Sequence, residues 1–275
     1  MERRWLVYPY HLWMLMFTVA PLALIFYFAF TVPGGAGSGG FTLDNIRQAA
    51  GPLYLRVLGH SVWLAALATL GCFLIGYPMA MILAQCRVKY RHMMVMLIII
   101  PMWMNFLLRT YAWMTLLEKN GLINAILRFF HLGPLHILYT DGAVLLGMVY
   151  NFLPFMILPI YSVLTKMDRS LLEAAGDLGA DAWTSFRRVT FPLSLPGVYA
   201  GMLMVFMPAV TTFVISRLLG GGQYMLIGNV IEQQFLVIGN WRFGSAVSVL
   251  MLALILLSMI LLSRYNKEGG GGMFL

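Results

Sequence analysis

Residues 173–192 read EAAGDLGADAWTSFRRVTFP, a polar stretch with three carboxylates and two arginines between segments that are almost entirely apolar. The stretch predicts two short helices joined by a turn. Residues 170–173, SLLE, fit a capping box at the start of the first helix. Gly179 fits the left-handed turn that ends it. Asp181 is a suitable N-cap for the second helix, which we expect to end at Pro192.

On both sides of this insert, the chain consists mainly of long apolar segments (windows). Hydrophobic residues make up 61% of the 275 residues and charged residues only 10%, against about 25% charged in soluble proteins. Runs of roughly 20 apolar residues have the length of membrane-spanning helices and are too long for barrel strands. The six windows are 11–30, 62–84, 93–117, 142–165, 197–216 and 245–263. The sequence therefore predicts an all-α integral membrane protein with six transmembrane helices.

Basic residues are unevenly distributed between the two sets of connecting segments. With the N-terminus in the cytoplasm, the inside segments hold eleven Lys and Arg residues and the outside segments hold six. Cytoplasmic loops normally carry this excess. We therefore expect a multi-pass protein with both termini and the insert in the cytoplasm. The formal charge of +8 is explained by the same bias and indicates no nucleic-acid partner.

Residue types that perform chemistry do not form a recognisable motif. The sequence lacks a Walker-type phosphate-binding lysine, an H-E-x-x-H pair and a nucleophile elbow, and its five histidines are scattered. The G-x-G-x-x-G match within residues 34–40 follows no predicted strand, so it does not indicate a dinucleotide site. We expect no catalytic, cofactor-binding or metal-binding residues in this chain, and no enzymatic activity.

The insert resembles the cytoplasmic motif of permease subunits of ABC importers. The matching residues are Glu173, Ala174, Ala175, Gly179, Val189, Phe191 and Pro192. In that family the loop is a coupling helix that docks into a groove of the ATP-hydrolysing subunit. The resemblance implies a type I ABC-importer permease fold with a cytoplasmic EAA coupling helix, in which these seven residues couple ATP hydrolysis to the membrane helices.

The resemblance extends along most of the chain to permeases of the spermidine/putrescine (PotB-type) family. It is carried by residues 41–45, 52–61, 76–80, 101–113, 150–161 and 218–235. It implies import of polyamines across a prokaryotic cytoplasmic (inner) membrane by alternating access. The implied partners are the lipid bilayer, a second permease (PotC-like), a dimeric ABC ATPase (PotA-like) that binds ATP and Mg, and an external polyamine-binding protein (PotD-like).

The same resemblance divides the chain into three parts. Residues 1–60 form an N-terminal span with an external linker, and residues 61–264 form the ABC transmembrane type-1 permease core. The EAA loop of that core is 166–196. Residues 265–275 are expected to form a flexible cytoplasmic tail.

A polyamine is a flexible polycation, which carboxylates and aromatic faces bind well. Candidates for the substrate pathway are the acidic, aromatic and intramembrane basic residues Trp103, Arg109, Tyr111, Asp141, Tyr150, Glu232 and Trp241. Each also fits an interfacial or packing role. Arg109 is the one charged residue within a predicted span, and it fits either an interhelical anchor or a pathway residue.

A second interpretation keeps the permease and changes the solute. Arg217 and Arg242 stand where related permeases often carry an acidic residue and a proline. With Arg109, they would be ligands for negative charge on an organic anion or an amino-acid-like compound. Related permeases carry other solutes, including phosphonates, opines and metal ions, which are kept as alternative cargo. A self-powered secondary carrier is disfavoured, because the predicted spans contain no carboxylate for an ion relay.

Overall fold

The computed structural model describes residues 8–32, 40–168 and 170–267, with the backbone alone at Val88 and at 261–267. Over these ranges the chain is helical apart from loops and one isolated bridge between Thr31 and Phe41. The expectations for Arg3, Arg4, Arg169, the linker residues 34–39 and the tail beyond residue 267 lie outside the described residues.

The helices are numbered in chain order. They are α1 Tyr8–Ala29 with a π turn at Leu15–Val19, α2 Asp44–Ala49, α3 Pro52–Gln85, α4 Val88–Trp103, α5 Phe106–Leu117, α6 Leu122–Phe129, α7 Asp141–Lys166, α8 Ser170–Asp177, α9 Ala182–Thr211 with a π turn at Phe186–Thr190, α10 Val214–Leu219, α11 Ile227–Glu232 followed by a π turn at Gln233–Ile238, and α12 Trp241–Lys267.

Five helices in the described part of the chain, α1, α3, α7, α9 and α12, are long and apolar enough to cross a membrane. A bent pair, α4 with α5 and α6, makes a sixth span if it is counted as one. The span expected over window 93–117 is not one continuous helix, since the chain bends by 92° after Trp103. Pro101 removes a backbone donor near the end of α4. Asn105 then begins a new helix by accepting a hydrogen bond from Leu107 N–H (2.8 Å).

The chain divides into two compact units, and each has its own packing. The first unit contains Met1–Gly59 and Ile227–Leu256, and the second contains His60–Leu226 and Leu257–Leu275. In the first unit, the Tyr54 and Phe243 rings pack with their centroids 4.8 Å apart.

Helix α7 forms the centre of the second unit, with Met148, Met156 and Ile160 fully buried. Helix α9 approaches it closely at two glycines. A Cβ atom on Gly197 would lie 2.9 Å from the Pro159 carbonyl oxygen, and one on Gly201 would lie 2.8 Å from Met156 Sδ. Small residues four apart permit such backbone contact between membrane helices. The contact fixes α9 against α7 near the middle of its length.

Candidate functional site

The first helix of the insert, α8, begins with a cap from Asp168. The Asp168 carboxylate accepts a hydrogen bond from Ser170 N–H (3.0 Å), and hydrogen bonds from the Ser170 backbone and hydroxyl lower the pKa of Asp168. The predicted capping box at residues 170–173 is therefore wrong. Ser170 already lies in the first turn of the helix, so a residue before it has to supply the acceptor.

The end of α8 is a Schellman turn around Gly179. Gly179 has φ +80°, its N–H donates to the Gly176 carbonyl (2.9 Å), and Ala180 N–H donates to the Ala175 carbonyl (3.0 Å). This pairing satisfies carbonyls left open at the helix end, and glycine enters the left-handed region without a steric penalty. The prediction that Gly179 ends the first helix is confirmed.

The second helix, α9, starts as predicted and ends elsewhere. Asp181 caps it by accepting from Thr184 N–H (3.2 Å), and hydrogen bonds with the Thr184 side chain and backbone lower the pKa of Asp181. The expected end at Pro192 is wrong, because α9 continues to Thr211. The π turn just before Pro192, with Phe191 N–H bonded to the Phe186 carbonyl, widens the helix where proline has no donor. The second half of the insert and an apolar span are thus one continuous helix.

Aromatic rings attach this continuous helix to α3. The Tyr77 ring lies 5.9 Å from Phe186 and 5.7 Å from Phe191, measured between centroids. Ser194 Oγ donates to the Phe191 carbonyl (2.8 Å) and lies 2.8 Å from Tyr77 Oη. Because a serine hydroxyl has one proton, Tyr77 is the donor to Ser194. Sequence reasoning missed Tyr77 and Ser194, since nothing local links residues so far apart in the chain.

The two halves of the EAA motif have different surroundings. Glu173, Ala174 and Gly179 are exposed, and the neighbouring Leu178 side chain is 89% exposed. Val189 and Phe191, in contrast, are half-buried along α9. The first half therefore presents a surface to the exterior, with apolar side chains of the kind that a protein partner covers, while the second half holds the insert to the membrane helices.

A cavity of about 470 Å³ lies beneath α8. Leu172 and Glu173 line it from α8, and Thr190 lines it from α9. The remaining lining residues lie at or next to the ends of α3, α4 and α7, and they are Met81, Ala84, Gln85, Arg91, Leu164, Thr165 and Met167. Arg91 Nη2 donates to the Ala84 (3.0 Å) and Cys86 (3.2 Å) carbonyls. The cavity lies between α8 and the ends of α3, α4 and α7.

The bend between α4 and α5 separates three of the pathway candidates. Trp103, the last residue of α4, is 84% exposed, whereas Arg109 in α5 is only 9% exposed. The Arg109 guanidinium carbon lies 5.9 Å from the Phe106 ring centroid. Its Nε is buried and has no acceptor among the described residues. Tyr111, two residues further along α5, is exposed.

Two further candidates pair with residues outside the predicted set. Asp141, in the first turn of α7, has its Oδ1 3.2 Å from His60 Nε2. The His60 ring in turn stacks with Tyr224 at 6.4 Å. Tyr150 makes an edge contact with Trp113 at 5.2 Å. His60 was missed because a lone histidine near an interface carries no sequence pattern.

Glu232 and Trp241 belong to the first unit, whereas the other five candidates belong to the second. Glu232 is the last residue of α11. The Trp241 ring lies 5.5 Å from Phe235 and 6.4 Å from Phe28. The described residues contain no group of three or more His, Cys, Asp or Glu side chains that could hold a metal ion.

These features, apolar spans joined by a helical insert that continues into the membrane, are those of a transport component. Residues 73–267 match the family described as "Binding-protein-dependent transport system inner membrane component". The match covers more than half of the chain, and the chain belongs to this family. It is a multi-pass inner-membrane permease component of ABC importers and not an enzyme.

Individual relatives are similar over nearly the whole chain. The spermidine/putrescine transport system permease protein PotB of Haemophilus influenzae is 40% identical over 259 residues, covering 93% of this chain and 91% of that protein. PotB of Escherichia coli (strain K12) is also 40% identical, with 93% and 94% covered. The inner membrane ABC transporter permease protein YdcU of the same strain is 31% identical, with 81% and 75% covered.

Solved structures with the same fold come from a bacterial ABC transporter involved in the import of the acidic polysaccharide alginate. One chain aligns with a TM-score of 0.80 at 17% identity, covering 97% of this chain and 96% of that chain. A chain of the alginate transporter in complex with its pentasaccharide-bound periplasmic protein aligns with a TM-score of 0.79, also at 17% identity. The protein has the type I ABC-importer permease fold.

Proposed function

We propose that the protein is the membrane-spanning permease subunit of an ATP-driven importer of polyamines of the spermidine/putrescine class. The observation that carries this proposal is the 40% identity over 93% of the chain to spermidine/putrescine permeases. In the proposed complex the chain forms half of the translocation pathway, and a second permease forms the other half. A dimeric ATPase binds ATP and Mg, and an external binding protein delivers the polyamine.

The proposed coupling path runs through the insert, with both termini and residues 166–196 on the cytoplasmic side. Glu173, Ala174, Ala175 and Gly179 form the docking half, which is mostly exposed. Val189, Phe191 and Pro192 lie on the continuous helix α9. Closure of the ATPase on ATP moves α8, and α9 carries the movement into the membrane. We assign residues 61–264 to this permease core, with 1–60 before it and 265–275 as a tail.

The seven pathway candidates are proposed to line or border the route of the solute. Asp141 and Glu232 supply carboxylates for ammonium groups. Trp103, Tyr111, Tyr150 and Trp241 supply aromatic faces, three of which are well exposed. His60 and Asp141 lie within hydrogen-bond distance, so an ammonium group that binds Asp141 competes with the imidazole.

A second candidate function is import of an anionic solute by the same mechanism. Arg109 favours it, because its buried Nε has no acceptor among the described residues. An anion passing this position would supply that acceptor, whereas a polyamine would be repelled. The two candidate functions therefore differ in the charge of the solute, and one experiment with solutes of both charges distinguishes them.

The experiment measures ATP hydrolysis by the full complex in lipid nanodiscs, with the partner permease, ATPase and binding protein present. Spermidine, putrescine and an anionic organic acid are added separately. Stimulation by the polyamines alone supports the main proposal, and stimulation by the anion alone overturns it in favour of the second candidate.

Glu173→Lys tests the coupling role in the same preparation. We expect ATP hydrolysis no longer to respond to solute, since a reversed charge sits on the exposed docking half. Glu118→Lys is the matched control, because Glu118 is also exposed and lies outside the insert. If the two variants behave alike, the coupling assignment is wrong.

A further inference from the structure

The first unit contains a cavity of about 650 Å³, and its lining includes one of the seven pathway candidates, Trp241. It is lined by Phe28, Asn45, Gly239, Asn240, Trp241 and Arg242. Phe28 lies at the end of the apolar helix α1 and Trp241 is the first residue of the apolar helix α12. Their ring centroids are 6.4 Å apart, so the ends of both apolar helices meet at this cavity.

Arg242 gives the cavity an unsatisfied positive charge. Its Nε is buried and has no hydrogen-bond partner among the described residues. Within the part of the chain that the structure describes, the cavity lining contains no carboxylate, and the adjoining segment 33–39 has no acidic residue in its sequence. Arg91 Nε is unpaired as well, but two carbonyls accept from Arg91 Nη2 and Glu173 shares its cavity. A buried guanidinium donor without an acceptor is unfavourable, so an anion from outside the chain is expected at Arg242.

The two asparagines have distinct roles at this site. Asn45 donates to the Ala29 (3.2 Å) and Thr31 (3.1 Å) carbonyls, which uses both amide hydrogens to hold the cavity wall. Asn240 accepts from Phe243 N–H (3.2 Å) through Oδ1 and so caps α12. This cap leaves the Asn240 amide hydrogens available as donors. Arg242 and Asn240 together offer charged and neutral donors to one anionic group.

The surroundings of the cavity are strongly apolar. In the π turn that precedes it, Leu236 is 79% and Val237 is 74% exposed, and Ile238 is exposed as well. Trp241 is also exposed, as is typical of tryptophan at a membrane interface. A ligand that pairs with the Arg242 and Asn240 donors and also covers these apolar side chains has an anionic head group and an apolar body.

We propose that this cavity binds the phosphate of an anionic phospholipid. Arg242 and Asn240 donate to the phosphate oxygens, and the acyl chains lie along Leu236, Val237 and Ile238. Guanidinium groups bind phosphate well because their donors match its oxygens. The site binds lipid independently of which solute the transporter carries.

The test uses the full complex purified in detergent and titrated with dioleoylphosphatidylglycerol, with bound lipid counted by native mass spectrometry. Inorganic phosphate and dioleoylglycerol are titrated in parallel, because they present the anion and the acyl chains separately. We expect Arg242→Gln to weaken phosphatidylglycerol binding about tenfold, the loss of roughly one charge-assisted hydrogen bond. Arg56→Gln, the same change at an exposed arginine of the same unit, should leave binding unchanged.

Asn240→Asp separates binding from folding. Aspartate caps a helix as well as asparagine does, so α12 keeps its start while the cavity gains a negative charge. We expect this variant to assemble normally and to lose phosphatidylglycerol at least as strongly as Arg242→Gln. Equal lipid binding by wild type, Arg242→Gln and Asn240→Asp overturns the proposal. Inorganic phosphate binding as tightly as the lipid overturns it too.

Discussion

Gly179 offers a sharp test of how the insert is built, because Gly176 lies three residues away and provides a matched control. A methyl group added to either glycine would meet no atom within 4 Å, so steric contact does not distinguish them. They differ in the backbone, since Gly179 has φ +80° and Gly176 lies inside α8. The same Gly→Ala change should therefore have opposite effects at the two positions.

The magnitudes follow from the two conformations. Alanine in the left-handed region costs about 1–2 kcal/mol, so Gly179→Ala should loosen the turn by that amount. Alanine in a helix interior is favoured over glycine by roughly 0.5–1 kcal/mol, so Gly176→Ala should stabilise α8. Gly179→Asn should fall between wild type and Gly179→Ala, because asparagine tolerates this region.

Hydrogen exchange of residues 170–180 in the intact complex measures this difference. We expect Gly179→Ala to exchange about 5–30 times faster than wild type and Gly176→Ala to exchange more slowly. Solute-stimulated ATP hydrolysis should fall with Gly179→Ala. Equal protection in the two alanine variants would refute the argument that the left-handed turn, rather than packing, requires glycine at position 179.

Three further predictions concern the elements around the insert. Tyr77→Phe removes the hydrogen bond to Ser194 and should lower the stability of the complex by about 1 kcal/mol, measured by chemical denaturation. Gly201→Leu should prevent α9 from packing on α7, which would reduce the yield of assembled complex, whereas Gly59→Ala, in open space, should be tolerated. Because the pKa of Asp181 is lowered, its ionised carboxylate caps α9 above the ordinary carboxyl pKa near pH 4. The cap is lost as the pH falls through the lowered pKa of Asp181. Hydrogen exchange at the start of α9, corrected for intrinsic rates, should show this loss in wild type and not in Asp181→Asn.

The sequence predicted those features that depend on local chemistry. Asp181 and Gly179 were identifiable because caps and left-handed turns restrict residue type at single positions. The apolar windows were identifiable because the membrane thickness imposes a length. Gly197 and Gly201 have the four-residue spacing typical of close helix packing, and the structure shows α7 as the partner helix.

The features that were missed depend on contacts between distant segments or on competition between local signals. Pro192 ordinarily ends a helix, and nothing local indicated that a π turn would carry α9 past it. The break between α4 and α5 lies at Pro101 and Asn105, and the apolar composition of window 93–117 does not by itself locate it. Tyr77 and His60 acquire their roles only through partners more than 80 residues away.

Helix α9 has 30 residues and is therefore about 45 Å long. Its close contact with α7 at Gly197 and Gly201 lies near the middle of that length, so the contact acts as a fulcrum. The arm from the fulcrum to the insert measures roughly 25 Å and the arm to Thr211 roughly 20 Å at 1.5 Å per residue. A tilt about this point moves the two ends in opposite directions by similar distances. Opening at one face of the membrane is then coupled to closing at the other. The position of the glycine pair along α9 sets the ratio of the two displacements.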